Sequence, residues 1–345
     1  MNLTGTSILV TGGSGFIGSH LVDYIIERKP SQIVVLDNFF LGKEKVRNLT
    51  RAKEAFPELV IIPESAADRY EVVKILKDYD IRTVFNLAVV PLIASLIKPA
   101  WSSLENIDIV LSVCDMLKDG LYDHLIHFSS SEAYGTMAIY PMNEDHPLHA
   151  MTPYAASKAA GDALALSYWR TFDVDVSIVR PFNNYGPRQN EGSYAGVVPI
   201  FIKNIMAERQ SEIHGDGLQT RDYIYVEDTA KLALDLVESG KTVGKVVNIA
   251  VGEEITINQM YDTIAQEMKY DKPAKHTSRR MGDVDRHCGD NHLLSEIIGH
   301  QKFTTFEEGI KKTVDWYKRY FEEYKLYTEF DPGYFFTQRM SITKS

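Results

Sequence analysis

Cysteine is scarce in this chain of 345 residues: Cys114 and Cys288 are the only two, far apart and in no metal-ligand spacing. That excludes a disulfide framework and reads as reduced thiols in a cytoplasmic setting. Positive charge is also in deficit, with 37 Lys and Arg against 47 Asp and Glu and a net charge of −10. No basic stripe is available to follow a phosphate backbone, so a nucleic-acid partner is not expected, although a few local arginines can still hold a small anion. No apolar run approaches the length needed to span a membrane, and the N-terminus lacks the charged-then-apolar layout of a signal peptide. Repeats, low-complexity tracts and long linkers are missing as well.

What is present is a helix-forming run, Pro153 to Phe172, rich in alanine and leucine and opened by proline. Within it Tyr154 and Lys158 stand four residues apart and share one helix face. An ammonium beside a phenol lowers the phenol's pKa, which makes Tyr154 a candidate base toward an alcohol. The spacing alone is common on helix surfaces, so its meaning depends on its surroundings.

Those surroundings alternate strand and helix. Ser7–Val10 reads as a strand, followed by Thr11-Gly-Gly-Ser-Gly-Phe-Ile-Gly18 and an amphipathic helix to about Arg28. Gly12, Gly15 and Gly18 permit a tight turn and a close approach of pyrophosphate to the positive end of that helix, beside Phe16 and Ile17. The second strand, Ile33–Leu36, ends in Asp37 and Asn38. A carboxylate there accepts from an adenosine ribose and repels a 2′-phosphate, which favours NAD over NADP. Strands at 59–62, 83–86, 125–129, 174–179 and 246–249, with helices between them, predict a doubly wound parallel sheet of the Rossmann type, part of an α/β fold. The expected division is a dinucleotide-binding domain over 1–183 with returns at about 222–250, including Ile224–Val226. A smaller mixed lobe takes 184–221 and 251–320, and an aromatic-rich tail runs over 321–345.

Histidines invite a metal site, but His124 with His127 and His146 with His149 lack a third ligand at a zinc-like spacing. They read as solvated or structurally satisfied, and no metal is expected.

Several motifs in order give the chain a resemblance. Besides Gly12–Gly18 and Tyr154–Lys158 it carries Ser129-Ser-Ser-Glu-Ala-Tyr-Gly135, Arg180-Pro-Phe-Asn-Asn-Tyr-Gly-Pro-Arg188, Gly215-Asp-Gly-Leu-Gln-Thr-Arg-Asp222 and Gly282-Asp-Val284. From about Leu3 to Tyr320 it resembles the extended short-chain dehydrogenase/reductases of the nucleotide-sugar epimerase and dehydratase type. The resemblance implies oxidation of a sugar hydroxyl by tightly held NAD, a nucleoside-diphosphate sugar as substrate, and a homodimer formed through the Ile107 and Tyr154 helices. It implies that Tyr154 is the base, that Lys158 lowers its pKa and holds the nicotinamide ribose, and that Ser130 hydrogen-bonds the reacting oxygen. Ala88, in Asn86-Leu-Ala88, would pass beneath the pyrophosphate. Asn183, with Asn184 adjacent, and Arg221 would meet the diphosphate, and Asp283 the nucleotide ribose. Arg188, Arg279 and Arg280 are further anion handles, and Val197, Val198 and Pro199 an apolar wall for the base.

Within the family, Glu132 resembles the carboxylate of sugar 4,6-dehydratases, which acts on the C5 proton once C4 is a ketone. Ser131 replaces the Asp common in dehydratases of thymidine-linked sugars. The Ser131–Glu132 pair instead resembles dehydratases of GDP-mannose and of some UDP-N-acetylhexosamines, and also UDP-glucuronate decarboxylases; the resemblance puts both residues among the candidate catalytic groups, and 4-epimerases remain open. Ser65 replaces an Asp that meets adenine in many relatives, leaving Asp68 as a possible substitute. A binding-only sensor would have no need for Ser130, Tyr154 and Lys158 together.

Overall fold

Seven parallel strands in the order β11-β6-β5-β4-β1-β2-β3 form the main sheet of a computed structural model that describes residues 1–192, 195–279 and 284–324. The first half of the chain runs β1 (Ser7–Thr11), α1 (Phe16–Glu27), β2 (Gln32–Leu36), α2 (Thr50–Ala55), β3 (Val60–Ile62), α3 (Arg69–Asp78) and β4 (Thr83–Asn86). It continues with α4 (Leu92–Ile97), α5 (Pro99–Lys118), β5 (His124–Phe128), α6 (Pro153–Phe172) and β6 (Asp175–Pro181). The central strands are buried along most of their length because both faces are covered, and most of their residues are apolar. In β1, Ile8 and Val10 pack into the core under α1, while Leu9 packs into the opposite core with α3 and α5.

Helix α6 keeps the expected bounds for local reasons. Thr152 Oγ1 accepts from the Ala155 amide at 3.2 Å, Pro153 occupies the first turn, and Asp173 closes the helix in the left-handed region at φ 54°. Asp68 likewise caps α3, accepting from the amides of Tyr70 and Glu71.

Beyond β6 come β7 (Asn183–Tyr185), α7 (Val197–Met206), β8 (Glu212–His214), β9 (Thr220–Arg221), β10 (Tyr223–Tyr225), α8 (Val226–Glu238) and β11 (Val246–Ile249). Then follow β12 (Ile255–Thr256), α9 (Ile257–Glu267), β13 (Lys275–Thr277), α10 (His292–Ile298) and α11 (Phe306–Tyr324). Strand β11 returns to the main sheet beside β6. The other expected return differs: β10 pairs with β7 in a separate two-stranded sheet. Its alternation explains this, since Ile224 enters the core of the large lobe while Tyr223 and Tyr225 enter that of the small one. Helices α7, α9 and α11 enclose the second core. Most of the expected aromatic tail, together with Arg280 and Asp283, lies outside the described residues.

Candidate active site

The strand order reverses between β1 and β4, and the cleft opens there at the carboxyl ends of the strands. Its floor is the turn between β1 and α1. Gly12 has φ +68°, and a Cβ on it would lie 2.8 Å from the Ala88 amide nitrogen. A Cβ on Gly18 would lie 2.3 Å from the Gly12 carbonyl oxygen. The backbone is thereby kept bare at the positive end of α1, a cradle that fits the pyrophosphate of a dinucleotide. Asp37 braces the turn: one oxygen accepts from the Ser14 amide at 3.0 Å and hydroxyl at 2.5 Å, the other from the Phe39 amide. Thr11 ties the turn to β4, donating to Asn86 Oδ1 at 2.7 Å and accepting from the Leu87 and Ala88 amides.

The structure brings Gly12, Gly15, Phe16, Ile17, Gly18, Asp37, Asn38, Ala88, Tyr154 and Lys158 together on this one cleft. Ser65 lines it as well, hydrogen-bonded to Glu105 at 3.3 Å, whereas Asp68 is occupied in capping α3 and does not substitute for it. Arg188, expected among the substrate handles, lines this same cleft and pairs with Asp23 of α1 at 2.8 Å. Sequence reasoning missed Lys45, Asn48 and Glu105, which also face it. Lys45 makes a buried ion pair with Glu191 at 2.7 Å, and Asn48 donates to the Ser14 carbonyl. Neither carries a local motif; only the fold shows that the 3₁₀ turn Lys43–Leu49 overlies the glycine turn.

Tyr154 and Lys158 project from one face of α6 as expected, but their coupling differs from the expectation. Burial pushes the Tyr154 phenol up to about 12; the Ser130 hydrogen bond works against that, and the charge of Glu132 adds to it. Lys158 is not among the groups that shift Tyr154. Its Nζ donates to the Phe128 carbonyl at 2.7 Å, and burial lowers its pKa to about 8 while Asp162 opposes the fall. The ammonium is thus turned to the end of β5, and Ser130 is the phenol's partner.

Residues 131–134 form a 3₁₀ turn after β5, capped by Ser130, whose hydroxyl accepts from the Glu132 amide at 3.2 Å. Ser130 and Glu132 are half-buried, whereas Ser131 is 2% exposed. The three neighbours therefore differ: Ser131, expected to be catalytic beside Ser130 and Glu132, turns its side chain into the interior.

Of the residues expected to meet a substrate, Asn183 and Asn184 lie on β7, and the Oδ1 atom of each is buried with no hydrogen-bond partner. Arg221 on β9 is 7% exposed and donates to the Thr220 carbonyl at 2.8 Å. Val198 is a core residue, 1% exposed among Phe201 and Tyr261, which corrects its expected role as a wall for a base; Val197 is the more open of the pair. Asp222 was not singled out for a role. Its buried carboxylate accepts from the amides of Val251, Gly252 and Gly289, and burial raises its pKa to about 6. It thereby fastens the 251–252 and 289 segments to the chain beside Arg221.

Comparison with known proteins agrees with this geometry. Residues 9–313 match the family model of GDP-mannose 4,6 dehydratase. A UDP-glucose 4-epimerase of Mycolicibacterium smegmatis is 32% identical, covering 90% of this chain and 98% of the relative. A UDP-N-acetyl-alpha-D-glucosaminuronate decarboxylase of Bacillus cytotoxicus is 29% identical over 90% of this chain and 97% of its own. A dTDP-glucose 4,6-dehydratase of Streptomyces venezuelae, solved with NAD bound, superposes with a TM-score of 0.85 at 25% identity, covering 94% of this chain and 100% of the other. Bare glycine turn, Tyr-Lys helix and extended matches together place the chain in the GDP-mannose 4,6-dehydratase family, the NAD-dependent nucleotide-sugar epimerases and dehydratases of the extended short-chain dehydrogenase/reductase fold.

Proposed function

We propose that this protein is a nucleotide-sugar 4,6-dehydratase, converting a nucleoside-diphosphate hexose into its 4-keto-6-deoxy form. The observation that carries the reading is Glu132: a half-buried carboxylate two residues from Ser130, within electrostatic reach of the Tyr154 phenol. An epimerase needs no carboxylate at this place, whereas elimination needs a base for C5.

Gly12, Gly15 and Gly18 would cradle the pyrophosphate of NAD, Asp37 its adenosine ribose and Lys158 its nicotinamide ribose. NAD, when bound, would supply the acceptor for the C4 hydrogen with its electron pair and the donor for its return at C6. Tyr154, held by Ser130, would enter as the phenolate and become the neutral phenol as it takes the proton of the C4 hydroxyl, and the positive charge of Lys158 on the same face of α6 would favour the phenolate beforehand. With C4 a ketone the C5 hydrogen is acidified, and Glu132 removes it as a proton. Ser131 offers no acid, so the carboxyl of Glu132 is the group that can hand the proton to the departing C6 hydroxyl, completing the loss of water; the return of hydride at C6 of the resulting C5–C6 double bond is matched by a proton added at C5, and Tyr154 gives up the proton it took. Asn183 and Arg221 would hold the diphosphate, a guanidinium fork binding two oxygens at once.

A second reading, decarboxylation of a C6-carboxylated sugar, is favoured by Ser131, since loss of carbon dioxide from the 4-keto acid needs no acid for a departing hydroxyl. The test is to offer a panel of nucleotide sugars and weigh the products. Loss of one water is expected; loss of carbon dioxide selects the second reading, and unchanged mass with inverted C4 selects epimerisation. Glu132→Gln is expected to stop water loss, and full turnover by this variant would overturn its role. A homodimer through α5 and α6 is proposed on the exposure of Trp101 and Leu104 on α5, 41% and 63%, and scattering in solution checks it.

A further inference from the structure

Beneath the cleft lies a buried charge cluster of which the reading above uses only Lys158. Lys158 is 6% exposed, and Asp162, Arg180 and His127 are each 2% exposed. Asp162 stands one helical turn below Lys158 on α6, as Lys158 stands below Tyr154, so all three share one face. Its Oδ2 accepts from Arg180 of β6 at 2.5 Å and from the Ser129 hydroxyl at 2.7 Å. Its Oδ1 has no hydrogen-bond partner and stands 3.9 Å from His127 Nε2 of β5. His127 receives the Asn86 amide on Nδ1, so its proton sits on Nε2, toward Asp162. Burial, with Lys158 and Arg180 nearby, drives the His127 pKa well down and keeps the ring neutral. Arg180 in turn lies over the Tyr134 ring, 4.4 Å from its centroid.

The cluster therefore sets two cations, Lys158 and Arg180, against one carboxylate. We propose that Asp162 is a positioning residue of the active site, holding Lys158 in its ammonium form and pinning the Ser129–Ser130 segment that orients the Tyr154 hydroxyl. The two arms follow from one side chain. Through space its negative charge opposes the desolvation that brings the lysine down to about 8. Through Oδ2 it anchors Ser129, the residue next to Ser130, at the end of β5. A carboxylate serving only to neutralise Arg180 would act on neither arm.

The inference rests on the assignment of Tyr154 and Lys158 to the chemistry, and its test separates the two. Lysine side chains labelled with ¹³C at Cε are titrated by NMR in the cofactor-free protein, with Lys158→Met identifying the Lys158 signal. In Asp162→Asn the Lys158 midpoint is expected to fall by at least about one pH unit, and Asp162→Glu to restore most of it. A midpoint unchanged in a folded Asp162→Asn protein overturns the proposal. In parallel, turnover of whichever nucleotide sugar the wild type accepts is expected to fall more than about tenfold at neutral pH in Asp162→Asn, with the KM little changed. Should that variant not fold, Ser129→Ala decides: it keeps the charge, so the Lys158 midpoint stays while kcat falls, and wild-type kcat overturns the positioning arm. If Tyr154→Phe itself retains turnover, the assignment of the chemistry fails, and not merely this inference.

Discussion

The two halves of the site are built by different means. The cofactor half is made of backbone: Gly12 and Gly18 leave no room for a Cβ against Ala88 and the Gly12 carbonyl, and Asp37 and Thr11 lock the turn from either side. The half proposed to meet the substrate is made of side chains from β7 and β9, with buried Asn183 and Asn184 oxygens that have no hydrogen-bond partner. A surface of backbone can bind one shape and tolerates almost no substitution. A surface of side chains can be rewritten one residue at a time, which is how relatives of one fold come to bear the names epimerase, decarboxylase and dehydratase.

That contrast can be broken at several points. The largest effect is expected where the halves meet: Tyr154→Phe removes the base and is expected to lower turnover by about 10³-fold or more while NAD and substrate still bind. Next is the backbone half. Gly12→Ala combines φ +68° with a 2.8 Å contact to the Ala88 nitrogen, a cost of ~2–3 kcal/mol that would weaken NAD binding about 50-fold, measured by calorimetry. On the side-chain half, Arg221→Lys keeps the charge and loses the fork. It is expected to raise the KM about tenfold with kcat changed much less; a loss confined to kcat would contradict its role as a handle.

The smallest effect is one of stability, and it runs opposite to activity. Lys158 is lowered from 10.5 to about 8 chiefly by burial. The folded state therefore binds fewer protons than the unfolded state between about pH 8 and 10.5, so stability rises with pH across that window and the full penalty, ~3 kcal/mol, applies below it. Lys158→Met removes the penalty and leaves Arg180 matched with Asp162. Thermal unfolding at neutral pH is expected to shift up by a few degrees while catalysis is lost. The same titration predicts that NAD affinity falls as pH rises through about 8 in the wild type and is flat in the variant.

How much of this was legible depends on whether the determinant is local. The glycine turn, Asp37 and the Tyr154–Lys158 pair are short-range patterns with a mechanism, and the fold places all of them on one cleft. The same four-residue step along α6 reaches Asp162, but spacing says nothing of depth, so a buried carboxylate and a surface one look alike. Lys45 and Asn48 face the cleft only because the 3₁₀ turn lies over the glycine turn. Asp222 acts on amides of residues 251, 252 and 289, a relation made by tertiary packing. Val198 and Ser131, expected at the site, are both buried, and which way a side chain turns in a helix or a 3₁₀ turn depends on the core behind it, which spacing does not show.

The account stands on one transfer, the movement of the C4 hydrogen as hydride from sugar to cofactor and back within a single turnover. Its most direct test is to supply the accepted nucleotide sugar with deuterium at C4 and locate the label in the product by NMR and mass spectrometry. Retention of the deuterium at C6 is the predicted result. Its loss to solvent, with product still formed, would contradict hydride chemistry at this site.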